Sequence, residues 1–129
     1  SKEMKRQHRT LRQLPLYRDM VELKYVVANM YSRMPRKMTK YLDAILNTVC
    51  EAKKCVGLGE DTRDASTRAD YLSMARVFVE DVIDDITILS RLNIIDKKTD
   101  KRMKQLARSI VAQCVAWRDY VNGQGTNNQ

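Results

Sequence analysis

At 129 residues the chain is one domain with room for a real core, and its two prolines and four glycines are too few for a many-turned β fold. No apolar run approaches the ~18 residues that span a bilayer, and the basic start has no apolar block behind it, so neither a membrane span nor a signal peptide is expected. Lys and Arg number 24 against 16 Asp and Glu, a net charge of +8 that points to an acidic partner or surface, most commonly nucleic acid.

Residues 1–14 carry Lys2, Lys5, Arg6, Arg9 and Arg12 against Glu3 alone and read as a flexible basic arm. The first helix is expected over 16–33. Its Leu16, Met20, Leu23, Val27, Met30 and Met34 step by 4, 3, 4, 3, 4, the seam of a bundle helix. Tyr17, Val21, Tyr25 and Ala28 form a weaker stripe beside it. Pro35 disfavours helix for the residue before it and withholds a backbone donor, yet it fits the first turn of a new helix. It should therefore close one helix and open the next, at a corner crowded by Arg33, Arg36 and Lys37, with Lys40 one turn on.

The second helix is expected over 36–56, on Leu42, Ile45, Val49, Ala52 and Val56. Gly57-Leu58-Gly59 should end it in a glycine C-cap, and 60–64 should be a polar loop. The third is expected over 65–91, with Leu72, Ala75, Val79, Val82, Ile86 and Leu89 as its seam. Tyr71, Met74, Phe78, Ile83 and Ile88 widen its apolar face beyond what one core needs, which suggests burial on a second side. Asp96 is placed to N-cap the fourth helix, over 97–121, whose inner face is marked by Met103, Leu106, Ile110, Cys114, Trp117 and Val121. Residues 123–129 read as a flexible tail.

The fold expected over 15–122 is all-α, an up-down-up-down antiparallel four-helix bundle preceded by the basic arm. That topology puts the turn between helices 1 and 2 at the same end as the turn between helices 3 and 4. Arg33, Arg36, Lys37 and Lys40 would then meet Arg91, Lys97, Lys98, Lys101, Arg102 and Lys104, opposed locally only by Asp96 and Asp100. Such a basic pole can grip phosphates without reading bases, so binding should be salt-sensitive and sequence-tolerant.

Other chemistry finds little footing. Glu80, Asp81, Asp84 and Asp85 lie on one helix, but a di-metal bundle site needs Glu-x-x-His motifs, and His8 lies outside the bundle. No nucleophile elbow, phosphate loop or Cys/His pair is present, so an enzyme, a metal and a cofactor are not expected. Cys50, Cys55 and Cys114 read as reduced core thiols of a cytoplasmic protein.

Tyr17 near the start of helix 1, the Met34-Pro35-Arg36-Lys37 turn, the Leu92-Asn93-Ile94-Ile95-Asp96 link and Val115-Ala116-Trp117-Arg118 late in helix 4 resemble, in order and spacing, the accessory variability proteins (Avd) of diversity-generating retroelements. The resemblance covers about 16–122. It implies a basic homopentamer of four-helix bundles that binds the element's reverse transcriptase and its template RNA or cDNA and supports mutagenic cDNA synthesis, the enzyme being the partner. Where the family often carries arginines late in helix 3, this chain has Glu80, Asp81, Asp84 and Asp85. Either the nucleic-acid surface shifts toward the helix ends and Arg108, or the transcriptase contact differs. The alternative is an oligomeric protein–protein scaffold, of the kind encoded in ribosomal RNA intervening sequences, whose basic surface docks an acidic partner.

Overall fold

The computed structural model describes residues 13–127, with side chains over 15–123; most of the expected basic arm lies outside this range. The described chain is all-α: α1 (Gln13–Tyr31), a 3-10 turn (Arg36–Met38), α2 (Thr39–Asp61), α3 (Ala65–Arg91) and α4 (Lys97–Asn127). Each helix packs against two others, α3 on α2 and α4, and α1 on α2 and α4, so α1 and α3 lie diagonally opposite. Hydrogen bonds fix the directions. Tyr17 at the start of α1 donates to Glu60 at the end of α2, while Tyr31 at the end of α1 donates to Asp43 near the start of α2, at 2.5 Å. Along the α1–α4 seam, Arg102 donates to Glu22 and Gln113 to Asp19, so these two also run antiparallel.

The core is a single apolar column, with no buried polar or charged residue among those described. Leu16, Met20, Leu23 and Val27 of α1 are buried in it, as their spacing predicts. On α4 it is Ala107, not Leu106, that lies fully inward, and Leu106 packs only partly buried against the core. Burying each large aliphatic side chain contributes about 1.5–3 kcal/mol, so the column holds the fold and leaves the outer charges free for other work. The weaker stripe expected beside the seam of α1 divides. Tyr17 is buried with its hydroxyl on the Glu60 carboxylate, whereas Val21 and Tyr25 are 52% and 62% exposed.

The glycines of α2 do not end it. The helix runs through Gly57 and Gly59 to Asp61. Gly59 is buried, and a Cβ there would stand 3.3 Å from the Cβ of Tyr71 on α3. The residue serves close helix approach, not a left-handed turn. The carbonyls left over at this helix end are taken up by Arg68, which donates to Gly59 O at 2.9 Å and to Thr62 O at 2.6 Å. Asp64 then caps α3, accepting from the Thr67 N–H at 2.9 Å. At the far end of α4 the helix continues past Val121, the last core residue among the described side chains, to Asn127.

The α3–α4 link is a Schellman turn. Ile94 N–H reaches Leu89 O at 2.9 Å and Asn93 N–H reaches Ser90 O at 3.1 Å, with Asn93 left-handed at φ 59°. Asn is among the few side chains that tolerate this conformation. Ile95 drops back into the core, and Asp96 caps α4, accepting from Thr99 N–H at 2.7 Å. The link has no slack, so it fixes where the cations of α4 begin.

Cys55 and Cys114 are buried and Cys50 is exposed, all three free. Burial pushes the Cys114 thiol up to about 12 and also raises Cys55. On α3, partial burial, then the charges of Asp81 and Asp84, push the Asp85 carboxyl above its usual range. A carboxylate raised in this way destabilises the fold when ionised. Asp85→Asn should therefore raise the unfolding midpoint at neutral pH, by less than about 1 kcal/mol given solvent screening. The gain should vanish as the pH falls below the unfolded aspartate value near ~3.9, a pattern that thermal melts across pH would read.

Candidate nucleic-acid interface

Both turns sit at one pole. A cleft of about 380 Å³ opens between them, walled by Met30, Met34 and Met38 around Pro35 on one side and by Leu92, Ile94 and Ile95 on the other. Arg33, Asn93, Asp96 and Thr99 complete its lining. The two cationic groups that lie some 60 positions apart in sequence are thus joined by topology.

Position along the helices separates the expected site residues into free and engaged. Arg33, Arg36 and Lys37 are exposed on the first turn, and Lys97, Lys98 and Lys101 on the first turns of α4, with no ion pair to any described residue. Arg91 stands exposed beside them at the end of α3. Lys40 lies over the ring of Tyr41, 5.3 Å from its centroid. Arg102 is spent on Glu22 of α1 at 2.6 Å, and Lys104 on Asp100 at 3.0 Å. Arg108 is exposed further down α4, on the outward stripe of Lys97, Lys101 and Gln105, and is set apart from the pole.

The acid at this pole is committed locally. The backbone N–H of Thr99, then its hydroxyl, hold the Asp96 carboxyl below the ordinary aspartate range, so it stays ionised as a cap. It lowers the local positive potential without closing a pair with Lys97 or Lys98. The arrangement can therefore attract a polyanion and hold several phosphates at once, each cation acting as a point charge in water. The lining of the cleft contains no aromatic ring on which a base could stack.

The apolar cleft was not foreseen from sequence. Met30 and Met34 lie on the heptad seam, where spacing predicts core, but both are only half-buried, as is Met38. The signal was present in the spacing 30, 34, 38, which continues one methionine stripe across a proline that must break the helix. Elsewhere, Met74 and Val77 are exposed on α3 at 47% and 46%, and with Phe78 they line a shallow apolar groove. Among the described residues, no three His, Cys, Asp or Glu side chains gather where a metal ion could be held, and no helix is long and apolar enough to cross a membrane.

Neither a protein-family model nor a curated protein matches the chain.

Proposed function

We propose that this chain is a non-enzymatic, nucleic-acid-binding accessory subunit that associates with a retroelement reverse transcriptase and its template RNA in the cytoplasm and supports mutagenic cDNA synthesis. The observation that carries the nucleic-acid half of this reading is the pole itself, where Arg33 lines the cleft and Arg36, Lys37, Lys97, Lys98 and Lys101 stand exposed on the flanking turns, none in an ion pair with a described residue. The retroelement half rests on the resemblance to the Avd proteins, and so does a homopentameric assembly. Self-association is supported separately by apolar side chains on opposite sides of the bundle, Val21 and Tyr25 on α1 and Met74 and Val77 on α3. Faces so placed favour head-to-tail contacts, the kind that close into rings.

The test is RNA binding by the purified chain at ~50 mM salt, followed by charge reversal at Arg36, Lys37, Lys98 and Lys101 to Glu. The reversed variant should lose RNA affinity by about 100-fold or more while its sedimentation coefficient stays unchanged. Absence of RNA binding by the unaltered chain would reject the reading in favour of a scaffold that docks an acidic protein. Co-expression with a reverse transcriptase encoded beside it, and recovery of the two with RNA, tests the retroelement assignment.

A further inference from the structure

The polar cleft holds more than a phosphate grip requires. A surface that only neutralises phosphates needs cations and water around them, not a concave apolar floor. Here Met30, Met34 and Met38 face Leu92 and Ile94 across about 380 Å³, within the ~300–1,000 Å³ of clefts that take ligands. Leu92 stands at its lip, 53% exposed, which leaves apolar surface in water at no evident benefit to the fold. Methionine walls are soft and adapt to varied apolar side chains, as surfaces that accept several partners do.

We infer that this cleft is a docking site for a partner protein's acidic amphipathic segment, whose apolar side chains enter between the two turns while its carboxylates meet the cationic rim. Charge complementarity selects this occupant. Arg33 lines the cleft, Arg36, Lys37, Lys97 and Lys98 are exposed next in sequence to its lining residues Pro35 and Asp96, and the one acid of the lining, Asp96, is held by Thr99. A neutral apolar segment would leave that potential unanswered. A nucleobase would find aliphatic and thioether walls and no ring to stack on. An amphipathic acidic segment satisfies both the floor and the rim, by the helix-in-groove mode with charges reversed from the usual basic target. The inference stands apart from RNA binding, since RNA contact uses the cations and not the floor.

A labelled peptide of about 14 residues, with Leu at i, i+3, i+4 and i+7 and Asp or Glu between, is the probe. Its control carries Ser in place of each Leu at the same charge. The Leu peptide should bind the full chain about tenfold or more tighter than the Ser peptide. In methyl NMR of Met-labelled protein, the Met30, Met34 and Met38 methyls should shift while that of Met74, on the outer face of α3, stays put. Leu92→Ser should weaken the Leu peptide by several-fold to about tenfold and leave RNA affinity unchanged. Equal binding of the two peptides would overturn the inference, as would shifts at Met74 instead of the cleft. Cleft shifts on adding an oligouridine RNA would assign the floor to nucleic acid, and shifts that follow protein concentration alone would assign it to a second copy. Peptide binding without any RNA binding would uphold the cleft and sink the nucleic-acid reading, so the two fail separately.

Discussion

Raising salt from ~50 to ~200 mM should cut the affinity of this chain for duplex RNA or DNA by on the order of 10³. The figure follows from counting the six cations that stand exposed without an ion pair on the first turn and at the start of α4. Arg33, Arg36, Lys37, Lys97, Lys98 and Lys101 close no ion pair within 4.0 Å of a described residue, whereas Arg102 and Lys104 are engaged with Glu22 and Asp100. Six phosphate contacts give a log–log slope of roughly −5 on a duplex and −4 on a single strand. The same salt change should therefore cost a single strand only about 300-fold. Counting all ten basic candidates would predict a slope near −9, so a titration by fluorescence anisotropy distinguishes free from engaged side chains. Glu22→Gln should steepen the slope by about one, because it returns Arg102 to solvent without adding a cation.

Trp117→Ala should cost about 3–5 kcal/mol of folding free energy, a large part of the ~5–15 kcal/mol typical of a domain. Trp117 is 4% exposed within a single chain, on the inner face of α4 one turn before Val121, the last core residue among the described side chains of that helix. Its ring is filled in by neighbours of the same chain, so truncation leaves a cavity that only partial relaxation can close. Urea unfolding followed by circular dichroism would read the loss as a lower midpoint. A variant with unchanged stability but altered assembly would instead mark Trp117 as an anchor between subunits. Trp117→Phe should recover much of the loss, since it restores most of the buried apolar volume.

The heptad spacings made the bundle legible, because a core of one apolar column leaves its period in the sequence. Asp96 as an N-cap was equally readable, since capping is chemistry among neighbouring residues. The role of Gly59 is not legible for the complementary reason. Whether a glycine turns the chain or admits a neighbour depends on what faces it, and Tyr71 comes from the next helix. The bond from Tyr17 to Glu60 was not legible either, since the two lie 43 positions apart. The pole could be anticipated from topology, but not which of its charges are free: Arg102 and Glu22 are 80 positions apart. The cleft escaped because half-buried methionines at heptad spacing look like core until the proline between them is placed in space.

α1 starts beside the end of α2, and α4 runs antiparallel to α3 away from its Asp96 cap, so both leave the described bundle at the pole remote from the cleft. An affinity tag, a fluorophore or a whole protein joined at either side of 13–127 would hang from that remote pole. A chip surface that captures the molecule through such a handle would present the cations and the methionine floor outward, unobstructed. Two molecules joined head to tail by a short tether would hold their remote poles together and turn their charged ends apart, so one long polyanion could be gripped at two separated points.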